Sequence, residues 1–363
     1  MHSLLTISVV VPVWNGAEYL SKCLEALSQS DTPVLERIVV DDGSTDNSIL
    51  IAEASGAQVF RTRGKRGPAV ARNLGVMHAS GDIVIFVDSD VCVAPATLRL
   101  MRERFENQPD LDAVVGSYDD EPAAPGIASQ YKNLLHHYVH QHGKAEAATF
   151  WSGCGAIRRE AFEAVGGFDE SYARPCIEDI DLGYRLREAN RRILLDPAIQ
   201  AKHLKQFHLL RLFRTDIFDR ALPWTRLILQ SNRLPNDLNV SVPQRVSAAL
   251  MLAAAGLLLL SPFFALALVP ALLALAGVVA LNWDFYRFLA SKRGWAFAIA
   301  AIPLHQAYYL YSPICFAVGV LLHYSVWRFQ PAVRRRRVFG PVSAPARLSP
   351  AETEPETLNS FTD

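Results

Sequence analysis

The chain has no excess charge of either sign, no paired cysteines and no glycine-rich dinucleotide loop. Its 363 residues hold 36 Lys and Arg against 36 Asp and Glu. No domain is strongly basic, so nucleic acid is not expected as a partner. The five cysteines are Cys23, Cys92, Cys154, Cys176 and Cys315. They are scattered, odd in number and free of C-x-x-C spacing, which argues against a disulfide framework or a structural zinc site and fits a reducing compartment. There is no H-E-x-x-H. His136 and His140 lie four apart, a spacing that can bind zinc on a helix, but no nearby Cys or carboxylate completes a site. A solvated or acceptor-facing helix is expected there, with His137 and His142 beside them. The first apolar run ends in Pro12-Val13-Trp14-Asn15-Gly16 instead of opening G-x-G-x-x-G, which counts against a dinucleotide oxidoreductase. Met1 to Val13 has no basic start and runs straight into strand-like sequence, so no signal peptide is expected and the N-terminal domain belongs in the cytosol.

Charge is also missing locally. Val246 to Leu281 contains no charged residue, and neither does Trp295 to Trp327. Each exceeds the ~20 residues that one membrane helix needs. The first reads as a hairpin broken near Ser261-Pro262, the second as one long tilted span with Pro303 and Pro313 as kink sites. About three spans over residues 244–328 are expected; the competing reading is a buried core hairpin. Topology then conflicts with charge. Arg287, Lys292 and Arg293 suit a cytosolic loop, and so does the run Arg334 to Arg337. A hairpin followed by one span puts them on opposite sides, so either the last stretch re-enters or one segment breaks the tendency.

The N-terminal part alternates strand and helix signals. Ile7 to Val13, Arg37 to Val40 and Ile83 to Val87 are apolar but for Ser8 and Arg37, as in strands buried on both faces of a parallel sheet. Leu20, Leu24 and Leu27 recur at helical spacing between the first two. Gln58 to Arg61 reads as a short strand and Pro68 to His78 as a helix. Asp110 to Ser117 and Trp151 to Arg158 add strands; Ala128 to Gln141 and Ile180 to Ala189 add helices. This predicts an α/β domain over 1–201 with a mainly parallel sheet and its ligand site at the carboxyl ends of the strands. Residues 202–243 interleave Leu204, Phe207, Leu210, Phe213, Ile217 and Phe218 with Lys205, Arg211, Arg214 and Arg220, then turn polar. That suits an amphipathic helix on an anionic membrane surface, or one packed on the α/β domain. Residues 329–363 are basic at first and then rich in Pro, Glu, Thr and Ser, as in a disordered tail.

Chemistry concentrates at the strand ends. Asp88-Ser89-Asp90 follows Ile83 to Val87 directly, and two carboxylates one residue apart can both reach a divalent ion such as Mg²⁺ or Mn²⁺. Asp41 and Asp42 end a second apolar run, where a carboxylate can accept from a nucleobase N–H or a ribose hydroxyl. Trp14 can pack on a base and Asn15 can cap the next helix. Gly67 admits close backbone approach, and Arg72 can pair with phosphate oxygens. Glu178 and Asp179 open a helix, where its dipole favours ionised carboxylates; Asp181 and Arg185 can pair four residues on.

These segments resemble family 2 glycosyltransferases with the GT-A nucleotide-sugar fold. The resemblance runs through Ser8 to Asn15, Val40 to Asp46, Gly67 to Gly75 and Val87 to Asp90. It resumes at Gly153 to Arg158, Gly166 to Asp169 and Ile177 to Arg185, and covers about residues 7 to 205. It implies that Pro12, Val13, Asn15, Asp41, Asp42, Gly67 and Ser89 frame the nucleotide sugar. Arg72 would lie near the diphosphate. Asp88 and Asp90 would bind Mg²⁺ or Mn²⁺, with His203 as a further metal contact. Asp179, beside Glu178, would be the catalytic base of a single inverting displacement. The Q-x-x-R-W segment of the processive synthases is missing; Arg220-Ala-Leu-Pro-Trp224 is a loose echo. A single transfer to a lipid-linked or membrane-proximal acceptor, for envelope polysaccharide or glycolipid, is therefore expected from a protein anchored in the cytoplasmic membrane. The alternatives are transfer to a polyprenyl phosphate, held by Lys205, Arg211 and Arg214, and an inactive nucleotide-sugar-binding scaffold.

Overall fold

The computed structural model describes residues 4–236, 238–327 and Phe339. The chain opens with β1 (Ile7–Val13), α1 (Ala17–Ser28), β2 (Glu36–Asp41), α2 (Ser48–Ala54), β3 (Gln58–Arg61), α3 (Pro68–His78) and β4 (Ile83–Val87). Next come β5 (Val91–Val93), α4 (Thr97–Asn107), β6 (Ala113–Tyr118) and α5 (Ile127–Gln141). The domain closes with β7 (Cys154–Arg158), α6 (Arg159–Ala164), α7 (Glu178–Glu188) and β8 (Ile193–His203).

All eight strands join one sheet in the order β3-β2-β1-β4-β7-β6-β8-β5. The four N-terminal strands are parallel. β7 runs antiparallel to both β4 and β6, and β5 antiparallel to β8. The parallel expectation thus describes the first half, and the second half is mixed. β1 and β4 are buried along their whole length. Successive side chains point to opposite faces, so Val9 and Val11 meet Leu20 and Leu24 of α1, while Val10 meets Ala69 and Val76 of α3. Pro12 has no N–H to give a ladder. It lies past the residues that pair with β4 and is matched only to Val40 of β2.

Past β8 the chain is helical: α8 (Leu209–Arg214), a π-helical turn Thr215–Ala221, α9 (Leu222–Ser231), α10 (Val242–Leu260), α11 (Leu268–Leu281) and α12 (Trp283–Ser325). β8 continues to His203, beyond the expected boundary at 201, so the amphipathic segment becomes helical only at Leu209. The described residues show the segment packed on the α/β domain, with part of its apolar side left uncovered. Leu212, Leu227 and Ile228 are buried, and Trp224 Nε1 donates to the Tyr184 hydroxyl of α7 at 3.0 Å. Leu210 and Phe218 stay exposed, at 85% and 53%.

α10 and α11 form the expected hairpin, and its tip is bare: Leu259, Phe263, Phe264 and Leu266 are 67–86% exposed. α10 and α12 are long and apolar enough to cross a membrane; α11 is shorter. α12 bends at Gly294, where φ is 81°, and not at Pro303 or Pro313, which lie within its helical course. Only glycine takes that φ without strain. Both flanks of its apolar part return to the α/β domain. Lys292 pairs with Asp120, and Arg293 Nε donates to Gln130 Oε1 of α5 at 2.7 Å. Farther along, the Tyr311 hydroxyl donates to Asp216 at 2.8 Å, Gly319 abuts Thr225 of α9, and Phe339 meets Phe162 of α6. The run Arg334 to Arg337 and the acidic tail lie outside the described residues.

Candidate active site

The loops after β1 and β2 lace together. Asn15, with φ 48°, accepts at Oδ1 from Thr45 N at 2.8 Å, while its own N–H donates to Ser44 Oγ at 2.9 Å. Asn15 therefore does not cap α1; the Ala17 N–H donates to Asp46 instead. Val13 O accepts from Asp42 N at 2.8 Å. Asp41 and Asp42 are buried and turned inward. Asp41 accepts from Ser44 N. Asp42 accepts from Thr62 Oγ1, Arg66 N and Gly67 N at 2.7–2.8 Å, and so shapes the loop before α3. Gly67 has φ 99°, and a Cβ there would lie 2.7 Å from the backbone of Ala173. Trp14 is half exposed, but Lys65 Nζ sits 3.1 Å from its ring centre and covers one face.

The metal-side group forms where β4 ends. Ser89 packs beside Gly16. Asp90 lies opposite the end of β8, because Val91 is in register with His203. Asp90 Oδ2 is 3.7 Å from His203 Nε2 and 3.8 Å from Lys205 Nζ. Burial opposes its charge, but the hydrogen bond and charge of His203, with Lys205, hold its carboxyl at about 2. Asn133 of α5 orients the imidazole. Its amide nitrogen donates to Ser129 O, so its oxygen faces His203 Nδ1 at 2.7 Å. Nδ1 then carries a hydrogen and Nε2 faces the Asp90 carboxylate: protonated, it favours the ionised carboxylate; neutral, it has a lone pair for a metal ion. In its neutral form the ring and the Asp90 carboxylate offer two ligands to one cation. This donor set fits Mg²⁺ or Mn²⁺, which take few protein ligands and complete their shell with water and substrate phosphates. Among the described residues no group of three or more His, Cys, Asp or Glu is gathered as a complete metal site.

Asp88 faces elsewhere. Its Oδ1 takes Arg72 Nη2 at 2.6 Å, while Arg72 Nη1 donates to Glu178 Oε1 at 2.9 Å. Burial raises the Asp88 carboxyl, with Arg72 opposing. Arg72 is itself buried, and after the opposing effect of burial Asp88 and Glu178 raise its pKa. So Arg72, expected beside the diphosphate, is instead a bridge from the end of β4 to the start of α7. Glu178 also accepts from Cys176 N at 2.9 Å, and is likewise a positioning group.

Asp179 is the carboxylate left facing the cleft. Its oxygens accept from Ile180 N at 2.8 Å and Ser152 N at 3.4 Å. Burial and the neighbouring Glu178 raise it to about 6, against the pull of Arg72 and Arg220. The expected Asp181–Arg185 pair forms at 2.8 Å and is buried.

The histidines of α5 are not solvated. His137 and His140 are buried, with Nδ1 toward Tyr118 O and Gly116 O. His136 lies among Tyr118, His140 and Trp151, and burial pushes its pKa well down. Sequence reasoning missed Asn133, Tyr118, which stacks on His203 at 4.4 Å, and the Lys132–Asp216 pair. Nothing in the local sequence marks the first two. The four-residue spacing of Asp216 and Arg220 was the visible sign of the third region.

Residues 8–166 match the family described as glycosyl transferase family 2, and residues 133–208 match one described as the N-terminal domain of galactosyltransferase. Glycosyltransferase GlyG of Streptococcus pneumoniae is 38% identical over 117 residues, 31% of this chain and 38% of that protein. A pre-mycofactocin glycosyltransferase of Mycobacterium tuberculosis is 27% identical over 212 residues, 54% of this chain and 42% of its own. The chain thus spans well under half the length of these relatives. The mannosyltransferase PcManGT from Pyrobaculum calidifontis, solved with GDP-Man and Mn²⁺, matches with TM-score 0.55 at 20% identity, over 91% of this chain and 89% of its own. That likeness establishes the GT-A fold.

Proposed function

We propose that the chain, whose residues 8–166 match glycosyl transferase family 2, is a glycosyltransferase that moves a sugar from a nucleotide diphosphate to a membrane-proximal acceptor by one inverting displacement. The observation that carries the reading is the Arg72 bridge. One buried guanidinium ties the carboxylates at the end of β4 to the start of α7, which presents Asp179. A leaving-group side and a base side are thereby held in fixed relation.

Asp179 takes the proton of the acceptor hydroxyl as that oxygen bonds to the anomeric carbon. The bond from that carbon to the nucleotide diphosphate breaks, and its electron pair leaves with the diphosphate. A carboxyl raised to about 6 is ionised at neutral pH yet basic enough to receive a proton. Asp90 and His203, with Asp88 nearby, would hold Mg²⁺ or Mn²⁺, which supplies positive charge to the departing diphosphate. Pro12, Val13, Asn15, Asp41, Asp42, Gly67 and Ser89 build the nucleotide floor at the carboxyl ends of β1, β2 and β4. The support for this is their convergence there, chiefly as loop-shaping groups. Arg72 acts by positioning.

The membrane anchor is part of the same proposal. The bare hairpin tip enters the bilayer, and α11, at about 21 Å, is too short for the ~30 Å core. The contacts of Lys292, Arg293 and Phe339 with the α/β domain support one shared, cytosolic side for that domain and both flanks of α12. The last apolar stretch, helical without a break from Trp295 to Ser325, then lies along the face of the bilayer instead of crossing it.

Purified full-length protein in detergent, offered a panel of nucleotide sugars with Mn²⁺, Mg²⁺ or EDTA, tests the reading. Metal-dependent turnover of one donor, lost in Asp179→Asn while donor binding survives, is expected. Donor binding without turnover, even with membrane lipid extract as acceptor, would leave an inactive scaffold.

A further inference from the structure

The π-helical turn Thr215–Ala221 departs from the α-helices on either side of it, as wide turns at functional sites often do. Four contacts hold this region, two to α5 and α12 and two beside α7, which carries Asp179. Asp216 receives Lys132 Nζ of α5 on both oxygens at 2.8 Å, and also the Tyr311 hydroxyl of α12. Asp219 pairs at 2.9 Å with Arg174, just ahead of α7. Trp224 reaches Tyr184 within α7. Arg220, between them, is therefore held close to the end of α7 that carries Asp179.

Four cations near the base and metal sides have carboxylate partners: Arg72 with Asp88 and Glu178, Lys132 with Asp216, Arg174 with Asp219, Lys205 with Asp90. Arg220 has no hydrogen bond or ion pair with any described residue, and it is open to solvent. Partial desolvation by its neighbours opposes its charge, but Asp216, then Asp179, Tyr118 and Glu178, keep its pKa above the ordinary value. It is a standing charge over the base side, while Lys205 stands over Asp90. The same turn exposes Phe218 and touches α12 through Tyr311. An amphiphile arriving along the apolar helices would bring its headgroup to this point.

Resting on the reading of Asp179 as base, we propose that Arg220 receives a phosphate group carried by the acceptor, its planar fork pairing with two phosphate oxygens. The donor diphosphate has the same chemistry, so the test separates the two sources. Affinities for dodecyl phosphate, with dodecanol as the uncharged reference, and for a nucleotide sugar are measured on the full chain in detergent. Wild type should prefer dodecyl phosphate over dodecanol. Arg220→Gln should lose at least tenfold for dodecyl phosphate and keep nucleotide-sugar affinity within twofold. Arg220→Lys should recover part of the loss, and Arg233→Gln, an exposed charge beyond α9, should lose none. Unchanged dodecyl phosphate affinity in Arg220→Gln, an equal loss in Arg233→Gln, or a loss in Arg214→Gln in place of Arg220→Gln would overturn the proposal. A parallel loss of nucleotide-sugar affinity in Arg220→Gln would also overturn it, by assigning the group to the donor. If wild type takes phosphate through Arg220 but binds no nucleotide sugar, the transferase reading fails and the anion site stands.

Discussion

Replacing Asp179 by Asn should stabilise the protein at the pH where it abolishes transfer. The carboxyl is raised from its ordinary 3.8 to about 6, mainly by burial and by Glu178. The native state therefore holds this proton more tightly than the unfolded chain does. Between about pH 4 and 6 the native state binds more protons, so stability falls as pH rises through that window, and the whole penalty is in force above pH 6. Two pH units correspond to roughly 3 kcal/mol. Asp179 keeps some access to solvent, which screens the charge, so about 1–3 kcal/mol is expected. Asparagine removes the charge and retains an oxygen for the Ile180 N–H. Thermal unfolding in detergent should put Asp179→Asn a few degrees above wild type at pH 7.5, with the gap closing by pH 4.5. Transfer should fall by roughly 10²–10⁴. Wild-type activity should fall tenfold per unit below pH 6. A variant less stable at pH 7.5, or a gap independent of pH, would refute the claim that a desolvated, charge-crowded carboxylate faces this cleft.

Four further outcomes follow from other contacts. Arg72→Ala leaves Glu178 buried without its cation, and unfolding free energy should drop by roughly 3 kcal/mol in denaturant titration; a loss under 1 kcal/mol would deny the bridge. Asn133→Ala frees the His203 ring, so half-activation should need about 10–100-fold more Mn²⁺. Gly67→Ala meets the Ala173 backbone at a φ of 99°, and should lower stability by about 1–3 kcal/mol. Phe263→Trp at the hairpin tip should fluoresce in lipid and be quenched by brominated acyl chains, whereas single cysteines at Arg293 and Phe339 should react with an impermeant thiol reagent from the side of the α/β domain only. Labelling from opposite sides would restore a crossing helix.

Much of this protein was legible from its sequence. Six of the seven residues Ile7 to Val13 are apolar, which leaves no polar face to turn outward, and the strand is buried on both sides. The carboxylates of Asp88, Asp90 and Asp179 were placed because a chain leaving a buried strand, or starting a helix, puts its next residues at the same edge of the sheet. A turn at Ser261-Pro262 followed from an apolar run longer than one span. These features depend on neighbours a few residues apart, whose geometry is set by the backbone period.

Tertiary structure decided what joins them. Whether Arg72 meets phosphate or carboxylate depends on the approach of α7 to α3, which local periodicity does not encode. The way His203 turns Nε2 to Asp90 depends on Asn133, delivered by a helix between two strands. The α12 bend falls at Gly294 because φ there is positive, while the two prolines keep helical backbone. Arg220 looked like one more basic residue on an amphipathic face until the π-turn and the pairing of its neighbours left it alone beside the base. Sequence assigns charges to segments; only packing determines which charges are cancelled and which stay available to a ligand.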